Sequence, residues 1–99
     1  MLVFVTISSV DLDSYGSDFS DCRLHKTPEK ALAYVYSKLR ELQQHYPQMV
    51  ITAYDERGSV LHIDDVGIHL ESWSPIEIKL QSPRAPCALT RFRVIPRLV

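Results

Sequence analysis

The chain has 99 residues, 45% of them hydrophobic and 23% charged, with a net charge of −1. That length fits one domain over residues 1–99, and that composition excludes a disordered or low-complexity chain. A net charge so near zero singles out neither nucleic acid nor an acidic partner, but its distribution is uneven: residues 1–25 carry −3, 26–46 carry +2, 55–71 carry −4 and 77–99 carry +4. The acidic and basic ends either neutralise each other or form separate surfaces.

Two cysteines, Cys22 and Cys87, are fewer than a small secreted scaffold carries. Two reduced thiols in a cytoplasmic protein are expected, with one bridge as the alternative. The first seven residues, Met1 to Ile7, are apolar but lack the basic flank and small-residue cleavage site of a signal peptide. They are too short to span a bilayer, so no membrane contact is expected.

Residues 2–10 are dense in β-branched and aromatic types and read as a strand. Val3, Val5 and Ile7 share one face, and Leu2, Phe4 and Thr6 the other. Both faces are apolar, which puts the strand at the centre of a sheet. Residues 11–21 are turn-formers throughout and read as a loop. Cys22 to His25 adds a short edge strand.

Thr27 then caps a helix, Pro28 fits its first position and Glu29 suits the positive end of its dipole. Leu32, Val35, Leu39, Leu42 and Tyr46 recur on one stripe, and Pro47 stops the helix. Met49 to Tyr54 and Ser59 to Asp64 form a hairpin around Asp55-Glu56-Arg57-Gly58. Ile51, Ala53, Leu61 and Ile63 face one way, and Thr52, Tyr54, Val60, His62 and Asp64 the other. Val66 to Trp73 continues the alternation, with His69 and Trp73 on the polar side. Ile76, Ile78 and Leu80 alternate with Glu77, Lys79 and Gln81 as a half-buried strand. After a proline-rich break at 82–86, Ala88 to Ile95 is a last strand ended by Pro96, with Arg91 and Arg93 on one face and Phe92 and Val94 on the other.

These elements predict an α+β fold. One amphipathic helix packs on one face of a mostly antiparallel sheet of four to five strands, in the order β(β)αββββ. The other sheet face is left without cover. It is expected to display Tyr54, Val60, His62, His69, Trp73 and Lys79, with Arg91 and Arg93 as further candidates, a mix of aromatic, imidazole and charged side chains of the kind that anchors protein interfaces. Trp73 is the side chain expected in a homodimer interface.

The acidic residues Asp11, Asp13, Asp18 and Asp21 form a second candidate surface, one that would meet a basic site on a partner. The spacing of Asp11, Asp13 and Gly16 departs from a calcium loop, which needs an oxygen ligand where Tyr15 stands and a carboxylate where Cys22 stands. No histidine or cysteine pair has the spacing that holds a tetrahedral ion, so no metal or cofactor is expected. His62 and Asp64 read as ordinary neighbours on one strand, as do His69 and Glu71. With glycines only at 16, 58 and 67, a phosphate-cradling loop is absent, and no nucleophile elbow is present.

The expectation is therefore a non-enzymatic protein-binding module. Size and the lack of catalytic motifs associate it with inhibitors, immunity or antitoxin proteins, or viral and phage counter-defence proteins. Two alternatives stand beside it. Arg84, Arg91, Arg93 and Arg97, with Phe92 among them, have the composition of a nucleic-acid-binding segment. A small homodimeric accessory subunit is the other.

Overall fold

The computed structural model describes the backbone of residues 1–12, 17–82 and 85–99, and the side chains of residues 1–8, 21–81 and 91–99. Of the residues singled out above, the side chains of Asp11, Asp13, Asp18, Arg84 and Cys87 lie outside the described residues.

The fold is α+β, with one helix and seven antiparallel strands among the described residues. The elements run β1 (Leu2–Leu12), β2 (Ser17–His25), α1 (Pro28–His45), β3 (Val50–Tyr54), β4 (Val60–Ile63), β5 (Ile68–His69), β6 (Ile76–Ser82) and β7 (Ala85–Leu98). One curled sheet takes the order β2-β1-β7-β6-β3-β4-β5. The expectation of four to five strands is too low, and five strands rather than four follow the helix. The stretch 11–21 is not a loop throughout: Asp11 and Leu12 continue β1, and residues 17–21 open β2. Pairing to a neighbouring strand overrides the turn preference of isolated Asp and Ser.

β1 is central, as its two apolar faces require. It pairs β2 from Phe4↔His25 to Leu12↔Ser17 and β7 from Leu2↔Leu98 to Leu12↔Ala88. β7 runs on through Pro96, where the sequence suggests an end. β6 begins opposite Val94, so beyond that point β7 has a partner on one side only, the setting in which a sheet tolerates proline.

α1 starts as its sequence directs. Thr27 is extended (φ −131, ψ 153), and its hydroxyl accepts from the Lys30 N–H at 3.2 Å. The buried line of the helix is Ala31, Val35 and Leu39, with Leu32 and Leu42 flanking it half-buried. Tyr46 is not part of the stripe. It is the C-cap residue, 58% exposed, and its N–H bonds the Leu42 carbonyl.

The helix lies on the face that carries Phe4, Ala53, Ile76, Ile78, Leu80, Phe92 and Val94, all buried against it in one core. The register explains why these residues meet: Ile78 pairs both Ala53 and Phe92, and Val94 pairs both Ile76 and Thr6. Each fully buried side chain of this kind contributes about 2 kcal/mol. Val3 and Val5 point to the opposite face and are 5% exposed, so that face is closed over β1 and open only further along the sheet.

β5 and β6 are separated in the sheet by β4 and β3, so residues 70–75 must return across the end of the β3–β4 hairpin. This return segment shapes the candidate site. No helix among the described residues is long and apolar enough to cross a membrane.

Candidate functional site

The face opposite the helix is built by alternation along β7, β6, β3, β4 and β5. Arg91 stands opposite Lys79 and Arg93 opposite Glu77. Lys79 in turn stands opposite Thr52, and Glu77 opposite Tyr54. Tyr54 pairs Val60, and His62 pairs His69. Arg97, paired with Val3, points to the same side at the far end of β7. Members of the sequence-derived protein-binding and nucleic-acid sets thus share one face: Tyr54 lies two strands from Arg91, Arg93 and Arg97 on β7, and His62 and His69 lie three and four strands away.

The chemistry of this face is cationic with apolar patches. The Lys79 ammonium sits 5.5 Å from the centre of the Tyr54 ring. The one ion pair in the stripe is long: Arg91 Nε lies 3.8 Å from Glu77 Oε1, and that nitrogen is buried with no hydrogen-bond acceptor among the described residues. Arg93 is exposed, as are Val50 and Val60 at 56% and 70%.

At the β4–β5 edge, Asp64 gathers both histidines. Its carboxylate accepts from the Val66 and Gly67 N–H groups at 2.8 and 3.2 Å and from His69 Nε2 at 2.8 Å, and its second oxygen is 3.5 Å from His62 Nε2. The two rings stack with centroids 5.5 Å apart. The His69 contact, then the Val66 N–H, hold the Asp64 carboxyl down at about 2. Gly67, at φ 155, supplies the backbone that lets the turn close. The Asp64 carbonyl meanwhile accepts from Tyr36 Oη at 2.9 Å and Arg40 Nη2 at 3.0 Å, which ties this turn to α1. With so many donors on it, the carboxylate has a structural role and little capacity left to serve as a base. Among the described residues, no group of three or more His, Cys, Asp or Glu side chains is arranged to hold a metal ion.

A cleft of about 540 Å3 lies between the β3–β4 turn and the return segment, lined by Arg57, His62, His69, Glu71 and Trp73 among others. Trp73 therefore reaches the same site as the histidines, but not as expected. It is not an exposed anchor on the open face. It packs half-buried against the core under the helix, edge-on to Phe4 at 5.1 Å and 88°. The alternation that begins at Val66 stops at His69, so counting on to residue 73 assigns the wrong side.

Asp21 lies on β2, at the opposite edge of the sheet from His62 and His69, and on the helix side, opposite Ser8. The structure does not bring it together with the open-face residues. Its ion pair is local, to Arg23 at 3.5 Å. Among the described residues no ion pair joins the acidic N-terminal stretch to the basic C-terminal one.

The sequence reading missed the Tyr36–Arg40–Asp64 latch. A signal for it exists: Tyr36 and Arg40 stand four residues apart on one helix face, the spacing at which side chains meet. Comparison with protein-family models, with curated proteins and with solved structures finds no match.

Proposed function

We propose that this is a non-enzymatic binding module that engages an anionic protein surface through the sheet face opposite α1. The observation that carries the reading is the register that lines up Tyr54, Lys79, Arg91 and Arg93 on adjacent strands, on the side the helix leaves uncovered. A rigid sheet holds these groups at fixed spacing, and a tyrosine, arginines and exposed valines are the make-up of an interface core with a charged rim. An inhibitor, immunity or antitoxin role fits such a module. Asp21 lies at the opposite edge of the sheet from β4 and β5 and is not counted in this surface.

Nucleic-acid binding is the second reading. It is favoured by one observation: Arg91, Arg93 and Arg97 recur on one side of β7, as groups tracking a phosphate backbone would. Against it, Tyr54, the one phenol or indole ring on this face among the described residues, is already capped by Lys79.

Capture from an extract of the native host, with wild type and with the Lys79→Glu/Arg93→Glu double variant, tests the reading. A protein retained by the wild type and lost by the variant is expected. Equal retention by both overturns the assignment of the face. A bound species destroyed by nuclease, with binding that falls steeply as salt rises, would replace the first reading with the second.

A further inference from the structure

Among the described residues, β2 is the one long strand of this sheet with a neighbour on one side only. It has nine residues, pairs β1 alone, and forms one edge of the sheet, whereas β5 at the other edge has two residues. α1 lies over the face of the sheet, its Tyr34 ring meeting His25 and Arg23 of β2, and no described strand pairs the outer side of β2. An edge of this length presents a row of backbone donors and acceptors ready to pair with another strand.

We propose that β2 pairs with β2 of a second copy of this chain, antiparallel, about a twofold axis at Cys22. The geometry restricts the registers sharply. A twofold axis between antiparallel edge strands stands perpendicular to the sheet and passes through a residue that faces its own copy. Both helices then lie on the same side of a continuous sheet. Centring on Asp21 or on Arg23 sets like charges directly opposite, which destabilises a pair. Centring on Cys22 sets Asp21 opposite Arg23, and by symmetry does so twice.

Both side chains have partners to exchange: Asp21 Oδ1 accepts from the Cys22 N–H at 2.9 Å, and the Arg23 guanidinium lies 6.0 Å from the Tyr34 ring. Asp21 and Arg23 stand opposite Ser8 and Thr6, hence on one face of β2, and their side chains are 47% and 62% exposed. Their present bond to each other, at 3.5 Å, turns into a ring of four alternating charges across the axis. On the other face Cys22 is exposed and unbridged, and Leu24 is 64% exposed, an unusual cost for an edge strand that meets only water.

The register carries its own probe. In it the two Cys22 residues face each other across adjacent strands, within the Cα separation a disulfide spans. Centring on Leu24, the competing apolar register, moves them about four residues out of line and beyond that reach.

The test uses the full chain with Cys87→Ser, so that Cys22 is the one thiol. Sedimentation velocity under reducing conditions is expected to show a monomer–dimer equilibrium. Copper-phenanthroline, which takes two electrons from the two thiols as they lose their protons, is expected to link the dimer covalently. Asp21→Arg or Arg23→Asp alone is expected to weaken association about tenfold, since two pairs change from attraction to repulsion. The double exchange Asp21→Arg/Arg23→Asp restores it. Both side chains are exposed, and thermal melts of each variant confirm that the monomer is intact. A chain that stays monomeric at tens of micromolar and does not cross-link overturns the proposal. So does a dimer indifferent to either single reversal.

Discussion

Asp64 and His25 bind protons differently from their free counterparts, and each gives the fold a pH dependence of known sign. Asp64 is held at about 2 against an ordinary 3.8, first by His69 and then by the Val66 N–H. A depressed carboxyl contributes stability that is complete above the unfolded value and is lost as pH falls toward the folded one. Asp64→Asn should therefore melt below the wild type at pH 6, and the gap should close between about pH 4 and pH 2. A gap that stays constant over that range would show that the carboxylate charge is irrelevant to the turn. His25 behaves in the opposite chemical sense. Its Nε2 is 3.2 Å from Thr6 Oγ1, and burial, then the neighbouring Arg23, lower its pKa below 6.5. The folded state takes up its proton less readily than the unfolded chain, so stability is lost as pH falls below 6.5. His25→Gln is expected to flatten thermal midpoints measured between pH 7 and pH 5, and an unchanged slope would assign that dependence to other groups.

At the scale of elements, the Tyr36–Arg40 pair is the link between α1 and the two outer strands. Arg40 Nε bonds Tyr36 Oη at 2.7 Å, its guanidinium stacks 4.9 Å from the Tyr36 ring, and both side chains bond the Asp64 carbonyl. Arg40→Ala is expected to speed hydrogen exchange at Val66 and Gly67 while leaving protection in β6 and β7 little changed. Protection that falls equally across β6 and β7 would mean the latch supports the whole sheet. This link also marks the limit of what was legible in the sequence. The helix and the β3–β4 hairpin could be read because their signals are local: Thr27 and Pro28 at the cap, Leu32 to Leu42 on a stripe, Gly58 at φ 84 in the turn. The faces of β3 and β4 followed from a period of two. What depends on strands distant in sequence could not be read. Residues 17–21 look like turn-formers until β1 pairs with them, and Trp73 sits where the chain leaves the strand period to cross the sheet end. Asp64 joins His62 to His69 because a turn between two strands closes there. That Tyr54 shares a face with Lys79, Arg91 and Arg93 followed from alternation, but that they stand on adjacent strands became visible once β6 was known to lie between β3 and β7.

For the molecule as a whole, the central claim is that one sheet has two unlike faces: a core packed under α1 and a cationic surface beyond it. Consecutive residues of single strands put this to a strict test, because a one-residue change of register exchanges the two faces completely. In β6, Ile78 is fully buried against Ala53 and Phe92, while Lys79 projects to the open side over Tyr54. In β7, Phe92 is 5% exposed in the core and Arg93 is exposed beside it. Urea unfolding should read Ile78→Ala as a loss of about 3 kcal/mol and Phe92→Ala as about 4, each from a cavity that the surrounding sheet cannot refill. Lys79→Ala and Arg93→Ala should stay within about 0.5 kcal/mol of the wild type, since an exposed charge removes little when it leaves. The same two positions are the ones whose substitution weakens partner capture if the open face is the binding surface. Stability and binding should then separate along the strand, alternating residue by residue. Losses above about 2 kcal/mol at Lys79 or Arg93 would mean that this face is covered in the folded molecule and has no free surface to offer.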